Sequence, residues 1–308
     1  MHLKVIMYHY IRDKKSNQYP KLKFLDLDNF VKQLDYLESK YTIISPKEVL
    51  DIKSLKIKSP ENPLLLTFDD GYKDHLEVAN ILYKRGLTGL FFPVISVLED
   101  NIVLDVNKIH HILAIAKSIE ELNFELNEIL STKYKFSSQQ INELNYYYSK
   151  ANRWDDFNVN YFKRLLQHVL PNKCRTSILN YFFKKYINLD LKDFSKELYL
   201  NKYEIENMIG KGMDFGSHGT NHIWLNKVAN SIQEDDILNS HKKMKSFNMK
   251  NNNFYFCYPY GAYNKNTLKI LKKLKCSLAF TVEPKSFDIR LDNHLLVSRF
   301  DANDILLT

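Results

Sequence analysis

The chain has little of what staples or punctuates small, irregular proteins. Its 308 residues hold three cysteines, Cys174, Cys257 and Cys276, and no two are close in sequence. That spacing excludes a disulfide framework and a paired-cysteine zinc site. Eight glycines and eight prolines are too few for a collagen-like or low-complexity chain, so each is expected to mark a turn at a particular place. No stretch approaches the roughly 18 apolar residues of a membrane-spanning helix. The opening segment 1–9 is short, alternating and β-prone, and no apolar run with a small-residue cleavage site follows it. An export signal is therefore not expected, and the protein is placed in the cytoplasm or at the inner membrane surface.

What is present is the balance of a globular protein with a core: 44% hydrophobic, 13% aromatic and 26% charged residues. The net charge of +8, from 44 Lys+Arg against 36 Asp+Glu, is spread along the chain as a solvated, lysine-rich surface. Such a surface also attracts anionic partners, membrane headgroups or acidic glycans among them. No nucleic-acid-binding motif accompanies it, and no nucleic-acid partner is expected.

Strand and helix signals alternate in the first part. Residues 5–8 read as a buried strand, and 28–39 as a helix with apolar residues at helical spacing and Asp28 as its cap. Ser45-Pro46 opens a second helix. The run 63–68, apolar throughout and followed by Asp-Gly turn chemistry, suits a central parallel strand buried on both faces. A helix over 75–85 ends at Gly86, and 89–94 is the next strand. Residues 100–202 differ: apolar spacing is helical without strand-like alternation, and the aromatic stretches 146–148 and 161–162 read as packed core. Alternation resumes over 203–308, with strands near 213–216, 254–258, 278–282 and 295–300. The fold class is α/β with a mainly parallel sheet, open or closed into a barrel, in which 1–99 and 203–308 form one architecture around a helical insertion over 100–202.

Three stretches at predicted strand ends carry chemistry. Thr67-Phe68-Asp69-Asp70-Gly71 puts two adjacent carboxylates where parallel α/β folds build their sites. Adjacent carboxylates repel unless their roles separate, one on a metal and one left to accept a proton; otherwise the segment is an ordinary β-to-α turn. In Ser217-His218-Gly219-Thr220-Asn221-His222, two imidazoles with three residues between them can face one point. With an Asp they make a zinc-type site with a position open for water; the plainer alternative is a pair of surface histidines. Cys257-Tyr258-Pro259-Tyr260-Gly261 ends a strand in a turn that can aim backbone N–H groups and an aromatic ring at a pocket.

In this order the three stretches resemble one family, the polysaccharide deacetylases of the chitooligosaccharide-deacetylase homology type (carbohydrate esterase family four). Thr67 to Gly71 matches its TFDDG motif, and His218 and His222 match its H-[ST]-x-x-H motif, with Gly219 in place of Ser or Thr. Phe256 through Gly261 is similar to its third motif. Tyr8-His9 and the closing Leu296-Val297-Ser298-Arg299-Phe300 look like the branch that begins YH-x-[IV]. The resemblance covers about 1–95 and 203–303. It implies a distorted (β/α) barrel carrying a large helical insertion, and a metal-dependent hydrolase that removes an N-acetyl group from an amino sugar. Carried over by position, Asp70, His218 and His222 hold a divalent metal, zinc by preference, and Asp69 is the general base. Tyr258, Tyr260 and Arg299 are candidates for substrate and oxyanion contacts.

Two positions depart from the family pattern. The motif that would supply the general acid has no clear equivalent, so His294 and His9 are the candidates. The Arg expected to orient the base is replaced by Cys257, for which Arg299 is a candidate substitute from another strand. The expected substrate is an amino-sugar glycan or a lipid- or nucleotide-linked sugar, with peripheral membrane contact compatible with the charge. The alternatives are an inactive glycan-binding module of the same fold and a hydrolase of a non-sugar amide.

Overall fold

The computed structural model describes residues 1–19, 21–247 and 252–305. The chain divides into two compact units, one made of 1–16, 24–102 and 195–308 and the other of 17–23 and 103–194.

The first unit is built on parallel strands: β1 (His2–Tyr8), β2 (Pro63–Asp70), β3 (Leu90–Pro93), β4 (Asp214–Phe215), β5 (Tyr255–Cys257), β6 (Leu278–Phe280) and β7 (Phe300–Asp301). β1 pairs with β2, β2 with β3 and β3 with β4, all parallel. Past β4, Ser217 bridges to Phe256 of β5; β5 pairs with β6, whose Phe280 bridges to Val297; and β7 returns to β1. The hydrogen-bonded circuit thus closes on itself, partly through single-residue bridges, and the expected distorted α/β barrel is borne out. Helices Leu27–Lys40, Pro46–Lys53, His75–Lys84, Lys202–Gly210, Asn230–Met244 and Lys265–Lys273 occur between the strands.

The two-residue alternation of strand side chains sorts the core into layers. Leu3, Val5, Leu65, Phe92, Tyr255, Cys257, Phe280 and Val297 form one buried cluster. Their strand neighbours Ile6, Leu64, Leu66, Phe68 and Phe91 pack instead with Phe30, Leu34, Val78 and Leu82 of the helices, as Phe256 and Tyr258 do with Ile237, Ile270 and Leu271. β2 is buried at all eight positions, which is why its sequence is one continuous apolar run up to the carboxylates. The first long helix is capped by Asp26, whose side chain accepts from the Asp28 N–H, rather than by Asp28 itself. Ser45 caps the second as expected, in a reciprocal capping box with Glu48.

The second unit is helical, with helices Asp105–Ile115, Ile119–Thr132, Ser138–Tyr148, Phe157–Arg164 and Asn172–Tyr186. Tyr161 and Phe162 are core, with Leu122, Leu126, Ile178 and Phe182 also buried. Tyr146 and Tyr147 are not: they are 75% and 60% exposed, because the helix that carries them buries none of its residues. Among the described residues, no helix is long and apolar enough to cross a membrane.

Candidate active site

The ends of four barrel strands build the site. Along β2, alternation sets Asp69 in line with Leu65 and Thr67, while Asp70 follows Phe68 at the strand's end. The backbone then turns sharply: Asp70 and Gly71 both take positive φ, 70° and 71°. A side chain at Gly71 would bring its Cβ within 2.8 Å of Pro93 Cβ, so the Asp-Gly pair is required by packing as well as by backbone angle. His222 and Tyr260 are also left-handed, at φ 51° and 58°. Non-glycine residues in this region cost energy, and here three of them, each at or after the end of a different strand, come together.

Asp70, His218 and His222 offer ligand atoms that all lie within 4.8 Å of one another. Asp70 Oδ1 is 3.4 Å from His218 Nε2 and 3.3 Å from His222 Nε2, and it is a buried oxygen without a hydrogen-bond partner. Its other oxygen accepts from the Tyr72 hydroxyl at 2.5 Å. His218 Nδ1 lies 2.9 Å from the Cys257 carbonyl; a carbonyl only accepts, so Nδ1 carries a proton and Nε2 is the atom that faces the cluster. Burial alone would raise the Asp70 carboxyl, but the two imidazoles beside it hold it well below the ordinary carboxylate range. For His222 burial dominates and lowers the imidazole, favouring the neutral form that binds metal. An unmatched buried carboxylate oxygen facing two imidazole nitrogens fits a divalent cation, and the two-nitrogen, one-oxygen donor set suits zinc.

Asp69 has different company. Arg299, 1% exposed, grips it with two parallel bonds, Nη1 to Oδ1 and Nη2 to Oδ2, both 2.8 Å. The same guanidinium donates from Nε to the Thr281 carbonyl at 2.8 Å and from Nη1 to Thr67 Oγ1 at 3.1 Å. Burial pushes the Asp69 pKa up, but the charge and hydrogen bonds of Arg299 outweigh it and bring it down to about 2. Cys257 lies against both partners: its thiol is 3.4 Å from Asp69 Oδ2 and its sulfur 3.1 Å from Arg299 Nη2. The expected substitute from another strand is thus in contact with Asp69. Its planar fork is filled by protein acceptors, so Arg299 is not in position to touch substrate.

The register Tyr8↔Phe68 brings His9, just past β1, beside Asp69. His9 Nε2 is 3.9 Å from Asp69 Oδ2, and its side chain is 42% exposed. His9 therefore sits at the cluster and outside the core. His294 does not join it. Its carbonyl accepts from the Ala279 N–H, whereas the Arg299 N–H donates to the Glu283 carbonyl; Arg299 lies beyond the Val297 bridge to β6, and His294 lies in the turn before that bridge. Its pKa is lowered by burial and then by Lys53, a residue of the barrel's other end.

Tyr258 also fails its expected part. Its N–H donates to the Phe280 carbonyl within the sheet, and its hydroxyl donates to the Leu295 carbonyl at 2.7 Å, buried. Strand alternation explains this, since Cys257 points to the barrel side and Tyr258 under the helices. Tyr260 is at the site: its ring centroid is 4.6 Å from that of His222 and 4.6 Å from that of Trp224.

Three residues were missed in the sequence. Tyr72 holds Asp70; its only signal was its place directly after the carboxylate turn. Asp236 clamps the histidine loop, its carboxylate accepting from the Thr220 N–H, the Asn221 N–H and the Asn221 amide at 2.9, 2.9 and 3.0 Å. The clue was a charged residue on the buried face of its helix, in step with Gln233, Ile237 and Ser240. It also accounts for Gly219: with φ +78°, a Cβ there would lie 2.6 Å from Asp236 Oδ2, so the Ser or Thr usual in the motif cannot be accommodated. The third is Trp224.

Comparison with known proteins agrees with this architecture. The polysaccharide deacetylase family model matches residues 175–279, a span that contains His218, His222, Cys257 and Tyr260. No curated sequence relative matches. Among solved structures, the chain is similar to the Streptococcus pyogenes deacetylase PplD, at 17% identity and a TM-score of 0.59, covering 98% of this chain and 92% of that one. It is similar to a de-N-acetylase from Aggregatibacter actinomycetemcomitans, at 16% identity and 0.58, covering 97% and 94%. It is also similar to IcaB from Ammonifex degensii, at 18% identity and 0.53, covering 97% and 90%. Identities this low speak for the fold, which is that of the polysaccharide deacetylases. Together with the family model over residues 175–279, they agree with the resemblance seen in the motifs.

Proposed function

We propose that the protein is a metal-dependent hydrolase that removes the acetyl group from an N-acetylated amino sugar, with Asp70, His218 and His222 as ligands of a divalent cation, zinc by preference. The observation that carries this reading is the division between two adjacent buried carboxylates. Asp69 is gripped by Arg299, while Asp70 turns an unmatched oxygen to two imidazoles.

A bound divalent cation supplies polarisation of the amide carbonyl and acidification of water. The chain's own residues do the rest. Asp69, kept ionised by Arg299, accepts a proton from the water that adds to the acyl carbon. The guanidinium fixes the plane of that carboxylate, so the base does not rotate away between turnovers. His9, exposed and 3.9 Å from Asp69, gives a proton to the sugar nitrogen as the C–N bond breaks, and acetate and a free amine result. Tyr72 and the Cys257 carbonyl hold Asp70 and His218 in orientation. A glycan, or a lipid- or nucleotide-linked sugar, is the substrate class that the family resemblance and the basic surface favour.

Acetate release from N-acetylglucosamine oligomers by the zinc-supplied protein tests the reading. Asp69→Asn and His9→Ala should each lose about 100-fold or more in kcat, and His294→Ala should stay within about threefold of the parent. No acetate release from any N-acetylated sugar would reject the hydrolase and leave a glycan-binding module. Loss in His294→Ala with His9→Ala intact would reject the assignment of the acid.

A further inference from the structure

Trp224 is one of two tryptophans in the chain, and the proposed mechanism does not use it. It follows His222 by two residues and precedes Leu225, which is fully buried in the core beneath β5. The segment is therefore pinned on one side by the ligand cluster and on the other by packing. Between these anchors the Trp224 ring stacks on Tyr260, with centroids 4.6 Å apart and planes within 13°. Tyr260 in turn lies against His222 at 4.6 Å and 58°. The turn that carries Tyr260 is fixed: its φ is 58°, and the space beside Gly261 is filled by Val282, 2.5 Å from where a Cβ would stand.

Both rings are nonetheless half-buried rather than sealed in the core. The Trp224 Nε1 is buried, so the part of the indole left to solvent is ring carbon. The structure thus presents a rigid, preorganised carbon surface beside a polar, metal-type cluster. A pyranose, with C–H groups on one face and hydroxyls around its rim, is a ligand that can cover such a surface while keeping its polar groups wet. Because the rings are already ordered, little conformational entropy is lost when they are covered.

We propose that Trp224, backed by Tyr260, is a substrate-positioning platform on which a sugar ring of the glycan stacks, so that the protein favours oligosaccharides over a single amino sugar. This rests on the deacetylase reading above and specifies its substrate. A purely structural Trp224 would be a prop for Tyr260 and His222, and its loss would loosen zinc and lower kcat. A platform acts through binding.

Two readouts separate these roles, both with zinc-supplied full-length protein. In the first, Trp224→Ala raises KM for triacetylchitotriose about tenfold while kcat and zinc affinity stay within about threefold, and Trp224→Phe recovers most of the loss. In the second, Trp154 is replaced by Phe and turnover is arrested by Asp69→Asn, so that Trp224 is the single emitter. Triacetylchitotriose then shifts the emission saturably, and N-acetylglucosamine does so only at about tenfold or higher concentration. Acetate release without an emission change, or an unchanged KM in Trp224→Ala, overturns the platform and leaves the deacetylase reading standing. An emission change without acetate release from the parent upholds the platform and removes the hydrolase. Loss of zinc and kcat together in Trp224→Ala, with KM unmoved, makes Trp224 a prop and overturns the proposal.

Discussion

Replacing Arg299 by methionine removes the guanidinium that pairs with Asp69 and leaves a hydrocarbon stem of comparable reach. Both partners are almost fully buried, at 1% and 2% exposure, so water cannot take over the missing bonds. Stranding one member of a buried ion pair costs about 3–5 kcal/mol. The carboxylate has an escape, which is to take a proton. From its ordinary value of 3.8, protonation at pH 7 costs about 4 kcal/mol, which caps the penalty at much the same figure. The cap falls with pH: near pH 4 protonation is almost free, while Asp69 in the parent, at about 2, keeps its charge and its partner. Urea unfolding of metal-free protein should therefore show Arg299→Met less stable than the parent by about 4 kcal/mol at pH 7, shrinking to about 1–2 kcal/mol at pH 4 as only the neutral hydrogen bonds remain lost. Adding Asp69→Asn should recover part of the deficit at pH 7, since no charge is left to strand. A difference below about 1 kcal/mol, or one that does not change with pH, would refute the claim that this pair holds the carboxylate.

Two further outcomes follow from the same kind of argument. His75 is fully buried with its Nε2 2.9 Å from the His9 carbonyl, and burial lowers its pKa from 6.5 to about 4. Between those values the unfolded chain binds a proton that the native chain does not, so this contribution is complete above pH 6.5 and is lost as pH falls toward 4, by about 3 kcal/mol in all; His75→Gln should flatten that part of the pH–stability curve, and an unchanged slope would count against it. Gly219→Ala combines a left-handed backbone with a Cβ 2.6 Å from Asp236 Oδ2, so it should cost about 2 kcal/mol and weaken zinc about 10- to 100-fold by displacing the loop that Asp236 clamps, as read by a competing chelator.

The legible part of this site was the part written in contiguous residues. The apolar run into Asp69-Asp70-Gly71 and the His218–His222 spacing each contain their own geometry, because a strand end and one loop decide where those side chains go. The parts that stood only as candidates depend on which strand lies beside which. Arg299 is 230 residues from Asp69, and only barrel closure through Val297 and β7 brings the two together; the small Cys257 side chain stands in contact with both. His294 misled because it lies in the turn that precedes the Val297 bridge to β6, while Arg299 lies beyond that bridge. Tyr258 could have been set aside from the sequence alone: alternation from Cys257 sends it to the helix side. Asp236 and Tyr72 act by holding other residues, and each left one faint mark in the sequence: a charge in step with the buried face of a helix, and a place directly after the carboxylate turn. The exposed Tyr146 and Tyr147 show the limit of aromatic content as a core signal when a helix packs no residue fully.

The account stands or falls on whether Asp70, His218 and His222 bind one cation together. Zinc content of the purified protein after zinc loading and desalting, beside Asp70→Ala, measures this directly. The structure predicts about one zinc per chain in the parent and a small fraction of that in the variant, with both folded by urea unfolding. A parent that retains no metal, or a variant that retains as much as the parent, would contradict it.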